Sequence, residues 1–199
     1  RFGDFNDITY NFKESVCSAF MPKTLAFLNI PSVFLGSSML DFIDVNKYLG
    51  IIIDANGTDD NDITRLTRSL YCNGNLLTKR FLTCGVNVKV KLFQTFCYSL
   101  YGTHLWHTYS AGQYRRCTVA YNDIFRKLFG YRRGDSISAA TASLHVDTFN
   151  VVRRRLIYSF IKRIFKSHNQ LICTIRDSVY FLLGSSTMTE WSRSLLIKT

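Results

Sequence analysis

The sequence predicts an α+β fold, a short antiparallel β meander followed by a basic helical bundle. Two observations predict it. The spacing of apolar residues changes from strand-like to helix-like after Gly57. The charge divides near the same place: residues 1–60 hold four Lys/Arg against eight Asp/Glu, and residues 61–199 hold twenty-one against six. A hydrophobic content of 47% is ample for a packed core. The expected organisation is a β-rich piece over residues 1–57, a helical region over 58–183 and a C-terminal tail over 184–199.

In chain order, residues 15–20 form a β-like run, and Met21, Pro22 and Lys23 read as a turn. Pro31 limits any strand through residues 28–30. Val33, Phe34 and Leu35 precede a Gly36-Ser37-Ser38 turn signal and a second run over residues 39–45. Residues 45–54 complete the meander, with Gly50 inside the run.

Beyond Gly57 the helices begin. Thr58 or Asp59 can cap the first, and Asp59, Asp60 and Asp62 in its opening turn favour the helix dipole. Ile63, Leu66, Leu70, Leu77 and Phe81 make its apolar stripe, and Asn73-Gly74-Asn75 is a weak point within it. A second helix is expected over residues 87–107, burying Val88, Leu92, Phe96 or Cys97, and Leu100. A third spans residues 110–128 and stops at Gly130. Ser136 or Ser138 caps a short helix over 136–144, Asp147 caps a longer one through Lys166, and residues 170–183 form the last.

The net charge of +11, carried by the helical part, predicts a polyanionic partner, and nucleic acid is the commonest. Lys89, Lys91, Arg126, Lys127, Arg132 and Arg133 are candidate phosphate contacts. Arg155, Lys162 and Lys166 join them at spacings of seven and four, near one face of a helix. Tyr98, Tyr101, Tyr109, Tyr114, Tyr121 and Tyr131 interleave with these charges and either stack on bases or fill the core.

Other chemistries find little support. The six cysteines are widely spaced without a Cys-x-x-Cys pair, which argues for reduced thiols in an intracellular protein, in cytoplasm or nucleus. His104 and His107 have helical spacing but no Cys or carboxylate beside them, so ordinary packing or solvent exposure explains them. The acids from Asp59 to Asp62 are explained by capping rather than by Mg²⁺. No phosphate loop or nucleophile elbow is present. No catalytic residue and no metal ligand is assigned, and no cofactor is expected in this chain. An anionic membrane surface is the alternative polyanion, though no membrane partner is expected, and no apolar run is long enough to form a transmembrane helix. The opening Arg1-Phe2-Gly3-Asp4 has no initiator Met, which leads us to expect a piece of a longer protein.

The order of several motifs is similar to the late palm and thumb of reverse transcriptases of non-LTR (LINE-type) retrotransposons. Lys47-Tyr48-Leu49-Gly50 resembles that family's primer-grip segment. Residues 7–17 resemble the stretch that follows its catalytic strands, with a departure at Glu14. Residues 87–93, Leu100-Tyr101-Gly102 with Leu105-Trp106, and residues 120–130 followed by Arg132, Arg133 and Ser136 resemble its thumb helices. The resemblance covers about residues 7–170. It implies a palm remnant and a thumb that hold an RNA template paired with a DNA primer, Lys47 to Gly50 placing the primer end. Mg²⁺ would belong to the intact enzyme. Asp59-Asp60 follows the primer-grip segment, so the catalytic carboxylates are expected outside this chain. The alternative is a host-adopted or degenerate basic helical interaction module without polymerase activity. Oligomeric state and template preference are not legible.

Overall fold

A computed structural model describes residues 5–6, 9–11, 13–21 and 30–178. The expectations for Pro22, Lys23, Leu28, residues 179–183 and the tail over 184–199 lie outside the described residues, as does part of the 7–17 stretch.

The α+β expectation holds, with the strands paired two by two. Phe34–Leu35 (β1) and Ser38–Met39 (β2) form one antiparallel hairpin around the Gly36-Ser37 turn. Val45–Tyr48 (β3) and Ile51–Asp54 (β4) form the second, in the register Val45 with Asp54 through Tyr48 with Ile51. Residues 15–20 are not a strand. Cys17 makes an isolated parallel bridge to Phe42, through Cys17 N–H on the Asp41 carbonyl and Ile43 N–H on that of Cys17. One bridge gives too little pairing to extend the run on either side.

The first helix, Asp60–Phe81 (α1), buries Ile63, Leu66, Leu70 and Leu77 as its spacing predicts. It runs unbroken through Asn73, Gly74 and Asn75. Gly74 is buried because Ile124 sits on it: a Cβ there would lie 2.5 Å from Ile124 Cγ1. The expected weak point is a close helix–helix contact, and Asn73 Nδ2 donates to the Phe96 carbonyl.

The second helix, Val86–Cys97 (α2), is shorter than expected. Its chain turns at Tyr98 and at Gly102, whose φ of +90° suits glycine, and then forms a 3-10 turn over Thr103–Leu105. Its buried residues are Phe93 and Cys97, so the stripe is rotated from the expected one, and Val88 is exposed. Ala111–Phe129 (α3) matches its expected span. Ser110 Oγ accepts from Gln113 N–H at its start, and Gly130 at φ +79° closes its end. Ile137–Ser143 (α4) is capped by Ser136. Phe149–Lys166 (α5) has Thr148 at its N-cap instead of Asp147, which is drawn away to Arg155. Gln170–Arg176 (α6) is capped by Asn169.

α1 packs most extensively on α3. Ser110 N–H meets Asp60, Thr67 lies beside Cys117, and Gly74 touches Ile124. These contacts share an offset of 50 residues, so α1 and α3 run parallel, with both N-termini at the β3–β4 end. Phe93 centres the core among Tyr98, Tyr121, Phe125 and Phe129, edge to face at 5.1–6.3 Å.

Candidate nucleic-acid interface

The Lys47-Tyr48-Leu49-Gly50 segment is the tip of the β3–β4 hairpin. Leu49 and Gly50 form its two-residue turn with φ of +47° and +82°. Positive φ at both positions matches the twist of paired strands, but it strains a leucine. Lys47, Tyr48 and Leu49 are exposed, and Gly50 is half-buried.

Tyr101 secures the tip. Its hydroxyl donates to the Leu49 carbonyl at 2.9 Å, and its ring lies under Gly50, where an added Cβ would stand 3.4 Å from Cε1. Behind it, Asp62 is 1% exposed and accepts four hydrogen bonds. They come from Ile52 N–H at 2.9 Å, Trp106 Nε1 at 2.8 Å, and Arg65 Nε and Nη2 at 2.6 and 3.1 Å. Arg65 Nη2 also donates to the Tyr101 carbonyl. One buried carboxylate thus ties the hairpin, α1 and the turn after α2 into a rigid seat.

The other acids act over long range too, which corrects the capping expectation. Asp59 makes no side-chain cap bond to its own helix. Its Oδ2 accepts from His107 and Thr108 N–H, as Asp60 Oδ1 does from Ser110 N–H. These bonds fold the 107–110 loop onto the start of α1. Asp54 is held below the usual carboxylate range, first by the Asn56 N–H and then by the Asn56 and Asn61 amides. Among the described residues no cluster of three or more His, Cys, Asp or Glu could hold a metal ion. His104 and His107 part company. His104 packs on Phe160 at 4.5 Å with the rings tilted at 44°, where burial and then Arg163 lower its pKa, while His107 is exposed near Asp59.

The candidate phosphate contacts fall into two groups. α5 packs on the 3-10 turn and presents Arg155, Lys162 and Lys166, all exposed. Its C-terminal part lies beside Tyr101 at the hairpin end, while Arg155 lies near the middle of α3, where its partner Asp147 meets Tyr98 and Tyr121. Arg155 is engaged by Asp147 at 2.8 Å. A cleft of about 460 Å³ lies between α5 and the turn, with Tyr101, His104, Phe160 and Arg163 among its walls. Because Tyr101 also holds Leu49, this cleft adjoins the hairpin tip.

The remaining candidates sit at the far end of the α1–α3 pair. Lys91, Lys127, Arg132 and Arg133 are exposed, and Lys89 is half-buried. Arg126 lies 3.8 Å from Asp123, with its Nε buried and without a hydrogen-bond partner. From Ser110 to Arg126 the α3 axis covers about 24 Å at 1.5 Å per residue, so the two groups are not one cluster.

Filling the core accounts for five of the six tyrosines. Tyr121 is buried, and Tyr98, Tyr109, Tyr114 and Tyr131 pack against the core. Tyr101 alone of the six is exposed. Arg153, at the start of a basic run, is 8% exposed and structural, near the Thr103 and Trp106 carbonyls and over the Tyr109 and Tyr114 rings. Sequence reasoning missed Asp62 and Tyr101 as organisers of the tip. The adjacent Asp62 to Arg65 spacing was a local signal for the first, whereas the Tyr101 to Leu49 contact spans 52 residues and leaves none.

Comparison of the chain with family models, with curated proteins and with solved structures finds no match. No described helix is long and apolar enough to cross a membrane.

Proposed function

We propose that this chain holds a template–primer duplex, an RNA template with a DNA primer, as the late palm and thumb of a non-LTR retrotransposon reverse transcriptase. In this reading Mg²⁺ and the polymerase carboxylates belong to the intact intracellular enzyme, and this chain alone does not polymerise. The observation that carries the proposal is the β3–β4 tip. It is an exposed Lys47-Tyr48-Leu49 turn, seated by Tyr101 and Asp62 beside the basic end of α5. A rigid turn with a lysine is suited to positioning the end of a strand by its backbone. The second basic group, at the far end of α3, would meet the same duplex further along its phosphate backbone.

The test is fluorescence anisotropy of the full chain with a labelled RNA–DNA hybrid across a salt series. Contacts from Lys47, Lys127, Arg132, Arg133, Lys162 and Lys166 predict a log K against log salt slope of about −5. Lys162→Ala with Lys166→Ala should reduce its magnitude by about 2. A slope near zero in the unmodified chain would remove phosphate neutralisation, and the proposal with it.

A further inference from the structure

A second basic surface lies on a different side of the helical pair. A groove of about 450 Å³ runs between α1 and α3, lined by Thr67 and Tyr71 from one helix and by Gly112, Arg115, Arg116 and Val119 from the other. On α3 these positions recur at i, i+3, i+4 and i+7, which places them on one face. Tyr114, Tyr121 and Phe125, which join the aromatic cluster towards α5 and α2, lie about half a turn away at 100° per residue. The groove therefore opens away from α5 and its basic row.

Three features of this groove suit an anionic strand. Arg115 and Arg116 are exposed, line the same groove and, like Arg132 and Arg133, have no carboxylate within ion-pair distance among the described residues. Tyr71 and Val119 keep 37% and 43% of their surface open beside them, giving the cationic groove an apolar, partly aromatic wall. Gly112 is a helical glycine that packing does not require, because a Cβ there would meet nothing within 4 Å. A glycine lowers helix stability, and an open one allows close approach of a ligand.

We infer that this groove binds a single strand of nucleic acid, with phosphates on Arg115 and Arg116 and an unpaired base against Tyr71. Guanidinium groups grip phosphate oxygens in pairs, and a tyrosine ring stacks on any base. An unpaired base can meet the Tyr71 ring, whereas the bases of a duplex are already stacked on one another. The inference goes beyond the hybrid-holding role and stands on a separate face, so either can fail alone.

The experiment measures anisotropy of the full chain with labelled oligo-U RNA and oligo-T DNA of about twelve nucleotides, and with the RNA–DNA hybrid. Arg115→Ala with Arg116→Ala should weaken single-strand binding roughly ten-fold and reduce the magnitude of its salt slope by about 1.4. Hybrid affinity should stay within about two-fold. Tyr71→Leu should weaken single-strand binding roughly five-fold or more, with the slope unchanged. Gly112→Ala should raise or preserve thermal stability yet weaken single-strand binding, which separates ligand approach from folding. A stronger loss for RNA than for DNA would assign the strand as RNA, equal losses would assign the shared phosphate chemistry, and both support the groove. Circular dichroism confirms that the variants are folded. Absence of single-strand binding in the unmodified chain, or an unchanged slope in the double variant, overturns the inference. Loss of hybrid binding in Lys162→Ala with Lys166→Ala bears only on the duplex role.

Discussion

Replacing Asp62 by alanine should cost more than any other single polar change at the hairpin seat. The substitution removes an acceptor that serves three groups at once. Trp106 Nε1 is buried and loses its partner, Ile52 N–H is part-buried and loses its own, and Arg65 is left with the Tyr101 carbonyl. An unsatisfied buried donor costs about 1–3 kcal/mol, so two of them set a floor of about 2 kcal/mol. Arg65 is 21% exposed and can recover some hydration, so its share is discounted. The sum is about 3–4 kcal/mol, a large part of the roughly 5–15 kcal/mol that holds a domain together. Urea unfolding followed by far-ultraviolet circular dichroism measures it. With a slope of about 2 kcal/mol per molar, the midpoint should fall by about 1.5–2 M. Trp106→Phe and the double variant complete a cycle, and their coupling should reach at least about 1 kcal/mol. A loss below about 0.5 kcal/mol for Asp62→Ala, the range of an ordinary surface change, would refute the role given to this carboxylate.

Gly74→Ala should destabilise despite the better helix propensity of alanine. All three Ile124 branch atoms lie within 3.0 Å of the added Cβ, so overpacking of about 1–3 kcal/mol outweighs a gain of up to about 1. The reasoning fails if thermal melting shows a stabler protein, and Ile124→Ala in the same chain should recover part of the loss. Burial pushes the Cys97 thiol up to about 12 and the Cys117 thiol up to about 11. Both should resist alkylation at pH 8 until the protein unfolds, whereas exposed Cys72 reacts promptly; peptide mapping after a timed pulse reads the order. The folded-state pKa of His104 is lowered, so its contribution to stability is fully present above the unfolded value of about 6.5 and is lost as pH falls through the folded value. His104→Phe should flatten that part of the stability–pH curve between pH 7 and 5, and an unchanged curve would assign the loss to another group.

The helices that carry strong local signals were legible from sequence. α3 has its Ser110 cap, its Gly130 stop and a clear apolar period between them, so its limits follow from neighbours in the chain. α2 was overextended because residues 98–107 keep an apolar content compatible with helix. The helix stops at Cys97, where Tyr98 N–H bonds the Gln94 carbonyl, and Gly102 at a left-handed φ keeps the chain from resuming it, packed against Asp62, Ile51 and Arg65 from distant segments. Residues 15–20 have strand composition but only one bridging partner, and pairing is a property of two segments. At the candidate interface, the Lys47 to Gly50 turn was visible as a motif, but not what holds it. Capping is the local explanation for the acids after Gly57, whereas the acceptor oxygens of Asp59 and Asp60 serve amides 48 to 50 residues away. Arg153 and Arg155 look alike in a basic run; one turns inward among tyrosines and the other outward to Asp147.

The constant offset between α1 and α3 has a kinetic consequence. In an antiparallel pair, contacts near the connecting turn close small loops and the rest zip up from there. Here Asp60 with Ser110 and Gly74 with Ile124 close loops of one size, 50 residues. The first contact to form carries nearly the whole closure entropy, about 3.5 kcal/mol beyond a constant, and every later contact adds almost none. Between these two helices themselves there is no graded route, and the shorter closures run through α2, which α1 meets at Asn73 and Phe96. The pair should dock in a single step at the folding barrier, with side chains at both ends of the seam formed to a similar degree in the transition state.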